Sequence, residues 1–199
     1  MTTSATTTSS PAAGALTVSE LAARRGELTV IDVRSPAEYA GGHVEGALNV
    51  PLERLAEAVP ALRDAAARNG LAVVCATGGR SAQAVAQLTA AGVPASDVPG
   101  GTSAWQAAGH PMGRVEGARQ VWAMDRQVRL TAGSLVLTGL IAGRRFPRAR
   151  LLSGAIAGGL VFSAVSNTCA MAKALGKLPY NRPATGAPAF EQTLSQLHG

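Results

Sequence analysis

Cysteine is nearly absent, with Cys75 and Cys169 the only two in 199 residues. Two thiols so far apart form no disulfide framework, which points to a reducing compartment. Residues 1–13, MTTSATTTSSPAA, hold neither a basic residue nor an apolar run, and the first basic residue is Arg24. A positive n-region and an apolar h-region are thus missing, so no secretory signal peptide is expected. The Thr, Ser and Ala of this stretch predict disorder. Aromatic residues make up 4% of the chain and nowhere alternate with basic ones, which excludes a base-stacking platform for nucleic acid. No Cys/His cluster has metal-ligand spacing, and neither a P-loop nor a dinucleotide fingerprint occurs, so no metal and no cofactor are expected.

Acidic residues are scarce in the second half. Residues 1–112 carry seven Arg against nine Asp/Glu (net −2), and residues 113–199 carry eleven Lys/Arg against three (net +8), which together make the chain's +6. A basic appendage calls for an anionic partner, and its apolar runs choose a lipid bilayer over nucleic acid. Leu151–Ala172 is 22 residues without a formal charge, and Leu130–Gly143 is another 14. At about 1.5 Å per residue the first spans about 33 Å, enough for a bilayer's ~30 Å core. The second spans about 21 Å, unless it extends upstream with Arg129 snorkelling. Both contain Gly-x-x-x-Gly, as Gly139/Gly143 and Gly154/Gly158, a spacing that either packs helices in lipid or reflects the 23 glycines of the chain. RQVWAMDRQVR (119–129) sets Val121, Trp122, Met124 and Val128 at helical spacing among charges. It predicts an interfacial amphipathic helix with Trp122 at headgroup depth.

Residues 14–112 read differently, as strands alternating with helices. Thr17 or Ser19 caps a short helix that Gly26 stops. Leu28–Val33 is a β-branched run short enough for a buried strand. Ser35-Pro36-Ala37-Glu38 fits a capping box with proline at the first helical position. Ala47–Val50 is a second short strand, and Leu52–Asn69 a helix bent or divided at Pro60 and closed by Gly70. Leu71–Val74 is the next strand, Gln83–Ala91 a helix, and Val93–Val98 a last strand before Gly100-Gly101 turns into a helix with Trp105. Such alternation predicts a small α/β domain with a largely parallel sheet, whose ligand crevice lies at the carboxyl ends of the strands.

Cys75 stands at that end of its strand, in the loop CATGGRS (75–81). A thiol reacts as thiolate, so a reactive loop must favour negative charge. The following helix start offers free N–H groups, Gly78 and Gly79 permit a converging cradle, and Arg80 brings a fork of donors. The alternative is a buried structural cysteine before an ordinary turn. Asp32 and Arg34, at another strand end, either border the site or form a scaffold salt bridge. His43 reads as a turn-fixing hydrogen bonder, Glu38 as a cap and Trp105 as core.

These residues resemble the rhodanese, or sulfurtransferase, family. The loop matches its Cys-x-x-Gly-x-Arg-Ser pattern at Cys75, Gly78, Arg80 and Ser81. DVRSPAEYAGGHVEGALNVP (32–51) is similar to its Asp-Val-Arg … Glu-Tyr … Gly-His … Gly-Ala … Asn segment, and PGGTSAW (99–105) to its Gly-Gly … Trp segment. The resemblance implies a rhodanese-like domain at 14–112 with a largely parallel five-stranded sheet flanked by helices. It implies Cys75 as nucleophile, with Ala76, Thr77, Gly78, Gly79, Arg80 and Ser81 binding substrate. Four residues separate Cys75 from Arg80; the family's phosphatase relatives carry one more, so the loop length implies sulfur rather than phosphate. Ala76 and Thr77 stand where many family loops hold a basic or extra polar residue, which leaves a persulfide donor beside thiosulfate.

MDRQVRLTAGSLVLTG (124–139) and SNTCAMAKALGKLPYN (166–181) resemble the hydrophobic module of bacterial inner-membrane rhodaneses of the YgaP type. That implies a linker at 113–120, a transmembrane hairpin module at 121–182 with helices about 128–145 and 151–173, and a C-terminal tail at 183–199. It also implies a multi-pass protein of the inner (cytoplasmic) membrane, its rhodanese domain cytoplasmic, and a homodimer through the membrane helices. RRFPRAR (144–150) packs four Arg into the loop that such a hairpin carries across, so a shallow, re-entrant or tilted first segment stays open. The expected function is a membrane-anchored sulfurtransferase passing sulfane sulfur from thiosulfate or a persulfide donor to a thiol or cyanide acceptor, through a persulfide on Cys75. The alternative is a tethered, non-enzymatic thiol sensor or persulfide/nitrosyl carrier.

Overall fold

The β-branched runs pair in parallel. In the computed structural model, which describes residues 14–166, 170–182, 186 and 188–198, β1 (Thr29–Asp32) lies beside β3 (Leu48–Asn49) and β4 (Leu71–Val74), and β4 beside β5 (Ser96–Asp97). The expected disorder of 1–13 and the second cysteine, Cys169, fall outside the described residues. A separate antiparallel pair joins β2 (His43–Val44) to β6 (Met112–Gly113). β1 and β4 align from Thr29↔Leu71 to Asp32↔Val74. Alternate residues of these strands face opposite layers, as the two-residue period requires. Ile31 and Val73 join Leu62 and Leu88 in one core, while Val30, Ala72 and Val74 join Leu21 and Trp105 in the other.

The helices follow local signals. Thr17 caps α1 (Val18–Arg24) and Ser35 caps α2 (Pro36–Gly41), each in a complete capping box. α3 (Leu55–Asn69) passes through Pro60, and the break falls earlier, after a short 3-10 turn at Leu52–Arg54. Pro60 and Ala56, whose carbonyl a residue with an N–H at 60 would bond, are both exposed, so the proline lies on the solvent face while the buried stripe Leu55, Ala58, Leu62, Ala65 holds the helix together. The domain closes with α4 (Gly79–Ala90) and α5 (Gly101–Ala107).

The parallel sheet has four strands among the described residues rather than five. Ala15 contributes a single bridge to Asp97, with Leu16 N–H donating to Asp97 O at 2.8 Å and Asp97 N–H to Gly14 O at 3.1 Å. The chain cannot extend this edge because Thr17 already caps α1.

Beyond the domain, 119–123 forms neither helix nor strand, and α6 runs over Met124–Ala142 instead of starting near 128. The expected amphipathic helix over 119–129 therefore exists only from Met124 onward. α7 covers Arg150–Ser166 and α8 Ala170–Gly176, with 167–169 outside the described residues. Gly139 packs against Ser153 and the Ala149 carbonyl, and Ser153 Oγ donates to Val136 O at 2.9 Å. The first Gly-x-x-x-Gly thus joins α6 to α7, whereas Gly154 and Gly158 meet nothing within 4 Å. With its preceding turn, α7 forms a 20-residue helix, Pro147–Ser166, apolar and long enough to cross a membrane and only 6% buried.

The end of the chain returns to the first domain. α9 (Phe190–His198) lays Phe190, Leu194 and Leu197 on the α3 side of the core. Arg54 stacks 3.7 Å over the Phe190 ring, Arg68 donates to His198 O at 2.9 Å, and His198 Nδ1 lies 2.9 Å from Asp64 Oδ2. Leu197 is 1% exposed. Leu197→Ala should weaken this docking by about 2–4 kcal/mol. Amide exchange over 190–198 should accelerate while β1 and β4 stay protected; unchanged protection of α9 would contradict the packing.

Candidate active site

Cys75 follows Val74 at the carboxyl end of β4, and its side chain is 1% exposed. The loop is short because α4 begins at Gly79, ahead of the expected Gln83. Gly78 caps that helix with φ of +110°, a left-handed conformation that favours glycine. This turn aims the Gly78 N–H at Cys75 Sγ, 3.1 Å away. The Ser81 hydroxyl donates to Gly78 O at 2.9 Å and lies 3.5 Å from Sγ. Thr77 and Gly79 face solvent, and Ala76 is buried.

The loop's carbonyls turn away from the sulfur toward α5. Thr102 N–H donates to Cys75 O at 2.8 Å and Ser103 N–H to Ala76 O at 3.1 Å. Gly101 makes this approach possible: its φ is +50°, and a Cβ there would collide with the Cys75 carbonyl. The Gly100-Gly101 turn thus lets α5 pack directly on the carbonyl side of the loop.

The charges near the loop are paired. Asp32 is fully buried and takes Arg34 Nε and Nη2 in a fork at 2.9 and 2.6 Å, while Arg34 Nη2 also donates to Gly42 O at 2.6 Å. Of the two options for this pair, the structure forms the scaffold bridge, and Arg34 additionally walls the cavity described below. Arg80 does not reach freely into the cradle. Its Nη1 and Nη2 donate to Glu38 Oε2 and Oε1 at 2.8 and 2.7 Å. Glu38, 1% exposed in its side chain, also accepts from Ser35 N and Oγ and from Met124 N–H at 3.2 Å. Burial opposes the Glu38 charge, yet the Arg80 hydrogen bonds and charge hold its carboxyl below the usual range. His43 Nδ1–H donates to Tyr39 O at 2.9 Å, and its ring stacks on Tyr39, as a turn-fixing residue does.

A polar cavity of about 150 Å³ opens beside Ala76, between α2, α5 and the segment leading to α6. Arg34, Glu38, Thr102, Gln106, Arg114 and Val121 contribute to its wall. Sequence reasoning placed Glu38 only as a cap and did not single out Thr102, Gln106 or Arg114. Capping signals sit within three residues, whereas the Glu38–Arg80 pair spans 42. The expected linker 113–120 is a strap rather than a spacer. Val115 N–H donates to Ala40 O at 3.0 Å, and a Cβ on Gly41 would meet Arg119 O at 2.9 Å.

Comparison with known proteins agrees with the sequence resemblance. A family model described as "Rhodanese-like domain" matches residues 17–108, and "Inner membrane protein YgaP-like, transmembrane domain" matches 121–183. The uncharacterized protein slr1261 of Synechocystis is 40% identical over 155 residues, 77% of this chain and 84% of that protein. Thiosulfate sulfurtransferase 16, chloroplastic, of Arabidopsis thaliana is 36% identical over 91 residues, 41% of this chain and 76% of that protein. The crystal structure of a rhodanese-related protein from Thermoplasma volcanium superposes with a TM-score of 0.47 at 35% identity, covering 51% of this chain and 98% of that one.

Because folding holds the Glu38 pKa below its ordinary 4.5, the stability from the Glu38–Arg80 pair is complete above that value and is lost as pH falls through the folded pKa. Glu38→Gln should cost about 3 kcal/mol near neutrality. In denaturant titrations the gap between the two proteins should stay constant down to about pH 5 and close below it. A gap unchanged through the acid range would contradict the pairing.

Proposed function

The chain belongs to the rhodanese-like family, with the YgaP-like transmembrane domain following, and from that premise we propose that it is a membrane-anchored sulfurtransferase. The observation that carries this is Cys75 itself: a cysteine at a strand's carboxyl end whose Sγ receives the Gly78 N–H in a six-residue loop ending at Arg80. In the first half-reaction the Cys75 thiolate attacks the outer sulfur of thiosulfate. The S–S bond of the donor breaks, sulfite leaves with its electron pair, and a persulfide remains on Cys75. In the second, a thiol or cyanide takes the outer sulfur and the electron pair returns to Sγ. This is covalent catalysis by double displacement. The Gly78 N–H and the N-terminal end of α4 stabilise the charged sulfur. Arg80, already paired with Glu38, adds direction more than free charge, so a persulfide donor suits the cradle as well as the thiosulfate dianion does.

Two contacts support the membrane arrangement proposed here. Met124 N–H, at the start of α6, is held by Glu38, and α9, after the hydrophobic module, is docked on α3. Both ends of the module therefore leave and rejoin the same domain, which favours an even number of crossings. α7 supplies the apolar span, and the apolar half of α6 pairs with it through Gly139. Flanking residues Arg114, Arg119, Arg126, Arg129, Lys173, Lys177 and Arg182 outnumber the four Arg of 144–150, which favours a cytoplasmic domain at the inner membrane.

The near-complete burial of Cys75 supports a second reading, a carrier that is loaded once and does not turn over. For the full-length protein in detergent micelles, thiosulfate-dependent thiocyanate formation from cyanide should proceed through many turnovers. In Cys75→Ser it should fall below about a thousandth of the wild-type rate. Stoichiometric loading without turnover would favour the carrier, and activity retained in Cys75→Ser would remove Cys75 from the role.

A further inference from the structure

From Arg126 to Phe190 the sequence carries nine Lys/Arg and no Asp or Glu. Four of the nine, Arg144, Arg145, Arg148 and Arg150, crowd into the turn that joins α6 to α7. Near the domain such charges find company: Arg129 pairs with Asp125, and Arg126 lies 3.8 Å over the Trp122 ring. The four arginines of the turn are exposed, and among the described residues none makes an ion pair or a side-chain hydrogen bond. Arg145 lies 5.6 Å over the ring of Phe146, itself exposed.

The turn that displays them is firmly built. Phe146 N–H donates to Ala142 O and Ala149 N–H to Phe146 O, both at 2.9 Å, and the Arg150 stem packs against Gly143. Directly beside the charges the helix pair is apolar and open, with Leu137, Leu140, Ile141, Leu151 and Leu152 exposed. A nucleic acid or an acidic protein would answer the charge and leave that band in water, whereas a bilayer boundary answers both. α6 rises about 28 Å from Met124 to the turn, close to the ~30 Å of a bilayer core. With no acidic side chain in the module, the counter-charge has to come from outside the chain. Phosphate diesters accept the guanidinium fork through two parallel donors. A zwitterionic headgroup brings its own cation, so an excess of positive charge favours lipids with a net negative headgroup.

We propose that the 144–150 turn binds the phosphates of anionic phospholipids in the leaflet opposite the rhodanese-like domain. The proposal rests on the membrane anchoring above and is independent of the chemistry at Cys75. The apolar band sets the depth of the helix pair, and the four arginines select the headgroup.

The test uses full-length protein in neutral detergent micelles doped with equal amounts of phosphatidylglycerol and phosphatidylcholine of identical acyl chains. Native mass spectrometry counts the molecules of each lipid retained per protein. Wild type should retain phosphatidylglycerol preferentially. Changing Arg144, Arg145, Arg148 and Arg150 together to Gln should lower the ratio of phosphatidylglycerol to phosphatidylcholine about tenfold. Changing the same four to Lys keeps the charge without the fork and should give an intermediate ratio, which separates headgroup binding from a failure to fold. Lys173→Gln/Lys177→Gln, outside the turn, should leave most of the preference in place. Equal retention of the two lipids by wild type, or a ratio unchanged in the four-Gln variant, would overturn the assignment. So would a preference lost in Lys173→Gln/Lys177→Gln and kept in the four-Gln variant. A protein that stays monodisperse without detergent and retains neither lipid would overturn the membrane reading and the assignment with it.

Discussion

A buried carboxylate must be answered by donors, and Glu38 is answered by its own helix cap and by two distant parts of the chain. Ser35 closes the capping box of α2, Arg80 comes from the first turn of α4, and Met124 offers the first N–H of α6. Removing any of these leaves charge or hydrogen-bonding capacity of a buried carboxylate unmatched, so the three segments are held together by one constraint. The cysteine loop's arginine and the start of α6 thereby share one side chain.

This arrangement decides how the cradle handles charge. With Arg80 paired to Glu38, the backbone donor aimed at Cys75 Sγ is the Gly78 N–H rather than a free cation. On the other side of the loop α5 takes the Cys75 and Ala76 carbonyls, and it can come that close only because position 101 has no side chain.

Local signals told the truth about this chain. The Thr17 cap, the Ser35 capping box and the strands within Leu28–Val33 and Leu71–Val74 depend on residues within a few positions of one another, and they form where the pattern puts them. Pro60 failed to break α3 because its face is exposed and the opposite stripe is packed. The spacing of Val121, Trp122, Met124 and Val128 suggested a helix from 119, but the strap packs against Gly41 and the helix waits for the Glu38 carboxylate at Met124. The Glu38–Arg80 pair had no local signature at all. α9 did have one, since Phe190, Leu194 and Leu197 share a helical face. What the periodicity lacked was the identity of the surface that face would cover.

The central claim is that Cys75 carries sulfane sulfur. The most direct measurement is the intact mass of the full-length protein after incubation with thiosulfate, followed by treatment with cyanide. The account predicts one added sulfur atom, mapped by peptide mass to Cys75 and removed by cyanide. An unchanged mass, or a sulfur adduct that persists in Cys75→Ser, would contradict it.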